Sequence, residues 1–307
     1  MRITALAGGI GGARFLQGVR HAVPDAEVTV IVNTGDDTTL YGLRICPDLD
    51  TVMYTLAGGI DTERGWGRQD ESWKAKEELT LYGSPTAWFG LGDRDLATHL
   101  RRTQLMLGGL TLTEATTSLC ERWQPGVRLL PMSDSQAETH VTVTEDGVRR
   151  AIHFQEWWIK HRAALPASAI TLVHHGDLLP APGVIEAIDG ADIVLLPPSN
   201  PVVSIGTILQ VKGVREALAA KRVIGVSPII GGSPVRGMAD ACLAAIGVET
   251  SAEAVGRHYG ADLLDGWLVD TADAGASVPG VEVRAVPLLM TDLDATAAMV
   301  RAALDLA

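Results

Sequence analysis

Carboxylates in two short turns near the start of the chain are the residues best suited to chemistry. Asp36 and Asp37 follow the β-branched run at Val28–Val32, and Asp48 and Asp50 follow a little later. Open α/β sheets bind ligands just beyond the carboxyl ends of their strands. Clustered carboxylates repel one another there unless a cation neutralises their charge. Mg²⁺ is the usual cation where a substrate carries phosphate. The pattern therefore favours a metal site, although one Asp in each turn would also suit a helix cap.

Composition and charge narrow the class of protein. The chain has 307 residues, 47% hydrophobic and 20% charged, which allows one large globular domain or two smaller ones. Its net charge of −12 disfavours a nucleic-acid surface. The three scattered cysteines form neither a metal motif nor a disulfide framework, which predicts a reducing cytoplasm. We expect no membrane span and no signal peptide.

The order of predicted elements indicates an α/β fold. A strand at Ile3–Ala7, a run of glycines, a helix and a second strand give the start of a doubly wound, mostly parallel Rossmann-like sheet. Helical stretches then dominate up to about residue 180, interrupted by a predicted β-hairpin at Thr139–Phe154. We therefore expect a nucleotide- and metal-binding core formed by residues 1–50 and 181–307, with residues 51–180 inserted as a mainly helical cap.

Three loops predict the binding of a nucleotide or phosphate. Glycines before the first helix offer backbone N–H groups to an anion, but Arg14 replaces the third glycine of the dinucleotide fingerprint. Close packing of helix on sheet would also explain these glycines. Proline-fixed polar loops at 197–206 and 227–234 follow two later strands. The predicted contacts are Gly9, Gly11, Gly12, Asn33, Ser199, Asn200, Ser204, Gly206 and Ser227.

Two features of the cap segment have more than one interpretation. Asp93 begins a predicted helix and is a natural N-cap for it, while His99 in that helix is interpreted more simply as a satisfied helix histidine than as a catalytic base. The run Glu156-Trp157-Trp158 would either stack a planar ring system or form the core where the hairpin meets the cap.

Several long motifs occur in a fixed order along nearly the whole chain: GGIGGAR, NTGDD, CPDLDTV, GLGDRDLATH, PPSNPVVSIGTIL and SPIIGGSPVRGMA. They resemble the 2-phospho-L-lactate transferase family, and most closely its actinobacterial phosphoenolpyruvate-transferring branch. The resemblance implies an enzyme of coenzyme F-420 biosynthesis. Such an enzyme moves a phosphoenolpyruvyl or 2-phospho-L-lactyl group from a guanosine diphosphate adduct to the ribityl hydroxyl of 7,8-didemethyl-8-hydroxy-5-deazariboflavin, releases GMP and uses Mg²⁺.

The same resemblance implies roles for individual residues. It matches Asp48-Leu49-Asp50 to the family's deazaflavin and metal site, with Asp50 as the best single match. We therefore expect Mg²⁺ on Asp50 with Asp48 or Asp36, and Asp48 and Asp50 as catalytic carboxylates, one of which takes the hydroxyl proton. The implied deazaflavin contacts are Asp50, Trp88, Gly90 and Asp93. Archaeal members carry a Lys where this chain has Gly90, so the contact of that Lys is not carried over. Because Asp50 is expected in an exposed loop, we expect Asp50→Asn to keep the fold.

The sequence leaves two alternative classes of protein open, and it also bears on the oligomeric state. A nicotinamide-dependent oxidoreductase would use Asp36 on the ribose, and a non-catalytic nucleotide-binding regulator would need only the loops. Arg14 weighs against the first and the acidic turns weigh against both. The resemblance implies a homodimer. Apolar side chains around Leu105–Leu112 would suit its interface, unless they close the cap's own core.

Overall fold

A seven-stranded sheet forms the centre of the protein. The computed structural model describes residues 1–306, and every neighbouring pair of strands in this sheet runs parallel. In spatial order the strands are Glu282–Ala285, Gly266–Val269, Val223–Val226, Ile193–Leu196, Arg2–Ala7, Glu27–Val32 and Arg128–Pro131. The chain builds outward in both directions from the neighbours Arg2–Ala7 and Ile193–Leu196, so the topological switch point lies between them. The predicted α/β fold is confirmed.

Apolar residues cover both faces of the sheet. All residues after the first in Arg2–Ala7 and Glu27–Val32 are buried, which is the continuous pattern of a parallel sheet with helices on both sides. Successive strand residues point to opposite faces. Leu6 therefore belongs to the apolar cluster on one side and Ala5 to the cluster on the other. This double cover leaves the carboxyl ends of the strands as the accessible edge.

Helices supply most of the regular secondary structure outside the central sheet. Among residues 1–306 the α-helices are Gly9–Ala22, Pro47–Leu56, Lys74–Leu81, Asp93–Leu107, Leu112–Trp123, Val184–Gly190, Ile205–Ile208, Val214–Leu218, Ala239–Ala245, Ala252–Tyr259 and Leu293–Leu304. A π-helical turn covers Glu156–Lys160 and a 3₁₀ turn covers Thr271–Asp273. Within these residues, no helix has the length and apolar character needed to cross a membrane.

The segment predicted as a cap contributes to two different sheets. Ala137–Glu145 and Val148–His153 form the predicted hairpin, and Ala167–His174, which was not predicted, adds a third antiparallel strand. Arg128–Pro131, also not predicted, pairs instead with Glu27–Val32 at the edge of the central sheet. Its four residues are too few to show a strand periodicity. The division into core and cap stays a prediction.

Two short antiparallel pairs lie outside both large sheets. They are Thr38–Leu40 with Leu43–Ile45 and Ile229–Ile230 with Ser233–Pro234. The first pair occupies the connection between the two acidic turns, and the second follows the strand Val223–Val226. Each pair therefore shapes a loop at the carboxyl edge of the central sheet.

Candidate active site

A deep cleft opens at the carboxyl ends of the central strands. Its cavity volume is about 930 Å³. Much of its wall comes from the segments that follow Arg2–Ala7, Glu27–Val32, Ile193–Leu196 and Val223–Val226. This is the edge where open α/β sheets bind their ligands. The cleft thus brings together the glycines, the acidic residues and the two polar loops.

The glycines belong to the first turn of a helix, because Gly9–Ala22 begins earlier than predicted. A Cβ atom on Gly11 would lie 2.5 Å from the carbonyl oxygen of Pro198, and one on Gly8 would lie 2.5 Å from the Ser204 side chain. Only glycine permits so close an approach. Packing against the loop after Ile193–Leu196 therefore explains Gly8 and Gly11, while Gly9 and Gly11 also line the cleft.

Neutral side chains of the polar loops hold backbone groups in place. The Ser199 hydroxyl donates to the carbonyl oxygen of Gly8 at 2.9 Å and accepts from its N–H at 3.2 Å. Asn200 Oδ1 accepts from two backbone N–H groups of its own turn. The Ser227 hydroxyl bonds to both backbone polar atoms of Ile229. All three side chains line the cleft, and these hydrogen bonds fix the shape of its wall.

A buried amide holds Asp48 in position. The helix Pro47–Leu56 places Asp48 in its first turn, so Asp48 does not cap a helix that starts near Thr51. Asn33 Nδ2 donates to Asp48 Oδ2 at 2.9 Å, and Asn33 Oδ1 accepts from the Thr207 hydroxyl at 2.5 Å and from the N–H of Gly35 at 2.9 Å. Burial raises the pKa of Asp48 to about 6, and the hydrogen bond from Asn33 opposes that shift. Asn33 thus positions a carboxylate at the cleft.

Asn33→Ala is expected to destabilise the protein. The change leaves the Gly35 N–H and the Asp48 carboxylate without their shared partner, whereas the Thr207 hydroxyl can still donate to the carbonyl oxygen of Ser204 at 2.6 Å. One unpaired buried polar group costs about 1–3 kcal/mol. We expect the free energy of unfolding in urea to fall by at least that amount. Gln210→Ala, which removes an exposed side chain that bonds to a nearby carbonyl, is the control. Equal stabilities of the two variants would contradict this role of Asn33.

Asp36 and Asp37 are both buried but have different partners. Arg44 pairs with Asp37 at 2.9 Å. Burial, opposed by this guanidinium, raises the pKa of Asp37 to about 6. Asp36 lines the cleft, and its Oδ1 has no hydrogen-bond partner within residues 1–306. Burial, and after it the negative charge of Asp48, raises the pKa of Asp36 well above its ordinary value. Asp36 and Asp48 therefore form an acidic pair at the cleft.

Asp50 is buried in the first turn of a helix, and the expectation of an exposed loop carboxylate was wrong. Arg102 donates to Asp50 Oδ2 from Nη1 at 3.1 Å and also pairs with Oδ1 through Nη2. His99 Nδ1 lies 3.5 Å from Asp50 Oδ2, and His99 Nε2 lies 3.5 Å from Asp95 Oδ2. Tyr54 donates its hydroxyl to Asp95 at 2.8 Å. Burial raises the pKa of Asp50, and the charge of Arg102 opposes this.

Three members of this network were missed or undervalued by sequence reasoning. Asp95, His99 and Arg102 follow one another at spacings of four and three, so they lie on one face of the helix Asp93–Leu107. All three are buried, as is Thr98 between them. Charged residues are seldom buried unless they are paired. The occurrence of an Asp, a His and an Arg on one helix face was therefore the sequence signal that could have predicted a buried network of paired side chains.

The group able to hold a metal ion in residues 1–306 consists of Asp50, Asp95 and His99. One ligand atom of each lies within 4.8 Å of the others. Two carboxylates and an imidazole suit a divalent cation. His99 Nε2 is buried without a hydrogen-bond partner in the described chain, and such an unpartnered nitrogen is suited to be a metal ligand. The predicted ligands Asp48 and Asp36 are not members of this group.

Some predicted contacts do not reach the cleft. Gly12, Asn33, Gly206 and Asp93 are absent from its wall, while Ser204, Trp88 and Gly90 line it. The Asp93 carboxylate accepts hydrogen bonds from the Ser72 hydroxyl at 2.6 Å and from the N–H of Ala75 at 3.0 Å. Those bonds cap the helix Lys74–Leu81, whereas the N-cap of Asp93's own helix is Gly92. The N-cap prediction for Asp93 was wrong.

Comparison with known proteins identifies the family. The model of the family described as 2-phospho-L-lactate transferase CofD matches residues 3–287. The chain belongs to this family. Proteins named phosphoenolpyruvate transferase from Thermobifida fusca and Streptomyces griseus are each 63% identical over 100% of this chain and 98% of their own. One of the same name from Mycolicibacterium smegmatis is 58% identical over 100% of this chain and 99% of its own.

Membership in the 2-phospho-L-lactate transferase family makes the protein a transferase. This membership excludes the two alternative classes, a nicotinamide-dependent oxidoreductase and a non-catalytic nucleotide-binding regulator. The fold is also that of a UPF0052-family protein from Bacillus halodurans, with a TM-score of 0.63, 17% identity and 99% of both chains covered. At that identity the likeness establishes the fold alone.

Proposed function

We propose that this protein moves a phosphoenolpyruvyl group from a guanosine diphosphate adduct to the ribityl hydroxyl of 7,8-didemethyl-8-hydroxy-5-deazariboflavin. The reaction releases GMP and belongs to coenzyme F-420 biosynthesis. One arrangement supports this reaction above all: a single cleft holds a divalent-cation ligand set, a glycine-rich helix N-terminus and aromatic side chains. Relatives at 57–63% identity carry the name phosphoenolpyruvate transferase, which favours that donor over one carrying phospholactate.

Mg²⁺ is the proposed cofactor, held by Asp50 and Asp95 with His99 as a third ligand. When bound, it would neutralise charge on the diphosphate oxygens. Arg102 pairs with Asp50, but the two carboxylates of the cluster outnumber this one guanidinium and leave negative charge for the ion. Asp36 is the other candidate ligand near the cleft, because its unpartnered oxygen and its acidic neighbour also favour a cation.

The chain's own residues position and neutralise the donor. Arg14 and Arg236 line the cleft, and neither forms an ion pair with a carboxylate in residues 1–306. They are free to pair with the donor's phosphate or carboxylate groups. The N-terminus of Gly9–Ala22 adds backbone N–H groups and the positive end of a helix dipole. Transfer between two well-placed groups depends mainly on such positioning.

Asp48 is the proposed proton acceptor. The acceptor hydroxyl oxygen attacks phosphorus while the bond to the GMP oxygen breaks, and the hydroxyl proton must leave. A base works best with a pKa near the working pH. The pKa of Asp48 is raised to about 6, and the carboxylate lies at the cleft, held by a neutral amide and no cationic side chain in residues 1–306.

Product analysis tests the proposed function. Each of the two donors, with phosphoenolpyruvate or phospholactate on guanosine diphosphate, is incubated with the deazaflavin, Mg²⁺ and the protein. We expect mass spectrometry to show the phosphoenolpyruvyl product and an equal amount of GMP. Formation of the phospholactyl product alone would correct the donor, and no product from either donor would reject the reaction.

A homodimer is the proposed assembly, with the exposed apolar side chains at the C-terminal end of helix Asp93–Leu107 and in the loop after it at the interface. Leu107 is 84% exposed and Leu110 is 36% exposed, while Leu112 is buried in the core. Exposed apolar patches often mark interaction surfaces. Leu107→Glu is expected to halve the mass measured by light scattering at low protein concentration. Leu289→Glu, at another exposed leucine, is the control. A monomeric wild-type protein would reject the dimer, and a dimeric Leu107→Glu variant would place its interface elsewhere.

A further inference from the structure

A short loop presents one large aromatic side chain at the cleft. Trp66 lies between Gly65 and Gly67, whose φ angles of +77° and +67° are in the left-handed region that favours glycine. Its side chain lines the cleft although the residue is 44% exposed. The two flanking glycines turn the backbone sharply on either side of the ring, so the loop holds Trp66 out over the cavity.

Contacts with Arg64 and Trp73 hold this ring without burying it. Arg64 lies 5.4 Å from the ring centre of Trp66 and 5.0 Å from that of Trp73, and it pairs with Asp61 at 2.8 Å. Trp73 meets Trp66 edge to face, with ring centres 6.1 Å apart. Cation–π and edge-to-face contacts of this kind hold a ring in a defined orientation. Trp66 is therefore a positioned aromatic surface and not a loose side chain.

Gly90 provides the space for the ring. A Cβ atom at position 90 would lie 2.9 Å from Cη2 of Trp66 and 3.7 Å from Cζ3 of Trp73. The backbone of Gly90 is outside the left-handed region, so conformational freedom does not explain this glycine. It lies just before the helix Asp93–Leu107, which carries Asp95 and His99. The place of Trp66 is thus fixed next to the segment leading into the metal-ligand helix.

We propose that Trp66 is the stacking surface for the planar ring of the acceptor, and that Gly90 keeps the space it needs. This inference rests on the proposed function, which supplies a flat, conjugated acceptor. Trp158 also lines the cleft and is 38% exposed, but its ring packs against Phe154, and it is not among the side chains that a Cβ atom on Gly90 would meet. Stacking needs an accessible aromatic side chain at the binding site, and Trp66 lines the cleft while remaining 44% exposed.

Binding measurements with the deazaflavin test this role. Titration into the wild-type protein, Trp66→Ala and Trp66→Phe follows the fluorescence of the bound ring. Stacking on one aromatic ring changes affinity by about 5- to 150-fold in alanine substitutions, so we expect Trp66→Ala to bind that much more weakly. Trp66→Phe should retain most of the affinity. Tyr82→Ala, which removes an exposed aromatic side chain outside the cleft wall, is the control and should bind within about twofold of wild type.

A double-mutant cycle tests the contact with Gly90. Gly90→Ala should weaken deazaflavin binding, because its Cβ displaces Trp66, and it should have little further effect in a Trp66→Ala background. Unchanged affinity in Trp66→Ala, with a wild-type thermal transition, would overturn the inference. Equal losses from Gly90→Ala in both backgrounds would also overturn it. If the wild-type protein does not bind the deazaflavin at all, the proposed function fails first and this inference falls with it.

Discussion

Asp50→Asn is expected to abolish transfer and to lower the free energy of unfolding by about 3–5 kcal/mol. The stability loss follows because the change removes the charge that neutralises buried Arg102, whose side chain is 1% exposed. The activity loss, at least about 100-fold, follows because a ligand of the cation leaves the site. Urea unfolding measures the first effect, and GMP release without denaturant measures the second. Wild-type values for both would remove Asp50 from the network and from the mechanism.

A second substitution separates the two roles of Asp50. Arg102→Met alone should lower the free energy of unfolding by a similar amount, about 3–5 kcal/mol. The reason is that it leaves the Asp50 carboxylate buried without the guanidinium that pairs with it. The double variant Asp50→Asn/Arg102→Met should regain most of the lost stability, since replacing a whole buried pair by a neutral pair is often nearly neutral. It should regain no transfer. Recovery of activity together with stability would show that Asp50 acts only through the fold.

His99→Ala is expected to weaken binding of a divalent cation by about 10- to 100-fold or more. Loss of a supporting group around a metal typically costs that range, and His99 is a candidate ligand itself. Mn²⁺ is a suitable probe, because it accepts both carboxylate and imidazole ligands and its free concentration is measured by electron paramagnetic resonance. This measurement reports on the site without requiring turnover.

The control for that prediction is His258→Ala. His258 lies in the helix Ala252–Tyr259, is exposed, and is not a member of the cluster. It should bind Mn²⁺ as the wild-type protein does. Equal Mn²⁺ affinity for His99→Ala and wild type would exclude His99 as a ligand. In that case a loss of Mn²⁺ binding in Asp36→Asn would move the ion to the acidic pair of Asp36 and Asp48.

The sequence by itself determined the class of fold and the edge of the sheet that carries the site. Buried strands such as Ile193–Leu196 and Val223–Val226 are short continuous apolar runs, and local pattern predicts these well. The helix that contains His99 was predicted to begin at Asp93, where the structure has its first residue. Placement of the acidic residues, glycines and polar loops at one edge followed from parallel topology, because all strands of such a sheet end on the same side.

Only the tertiary structure decided what each polar side chain does. Asp50 meets Arg102 across 52 positions in the chain, and Asn33 meets Thr207 across 174. Whether a carboxylate is exposed, paired or left free for a cation depends on the side chains packed around it, and local sequence does not encode them. For the same reason the sequence grouped Asp36, Asp48 and Asp50 into one metal site. Helix packing instead placed Asp50 with Asp95 and His99, and left Asp48 with Asn33.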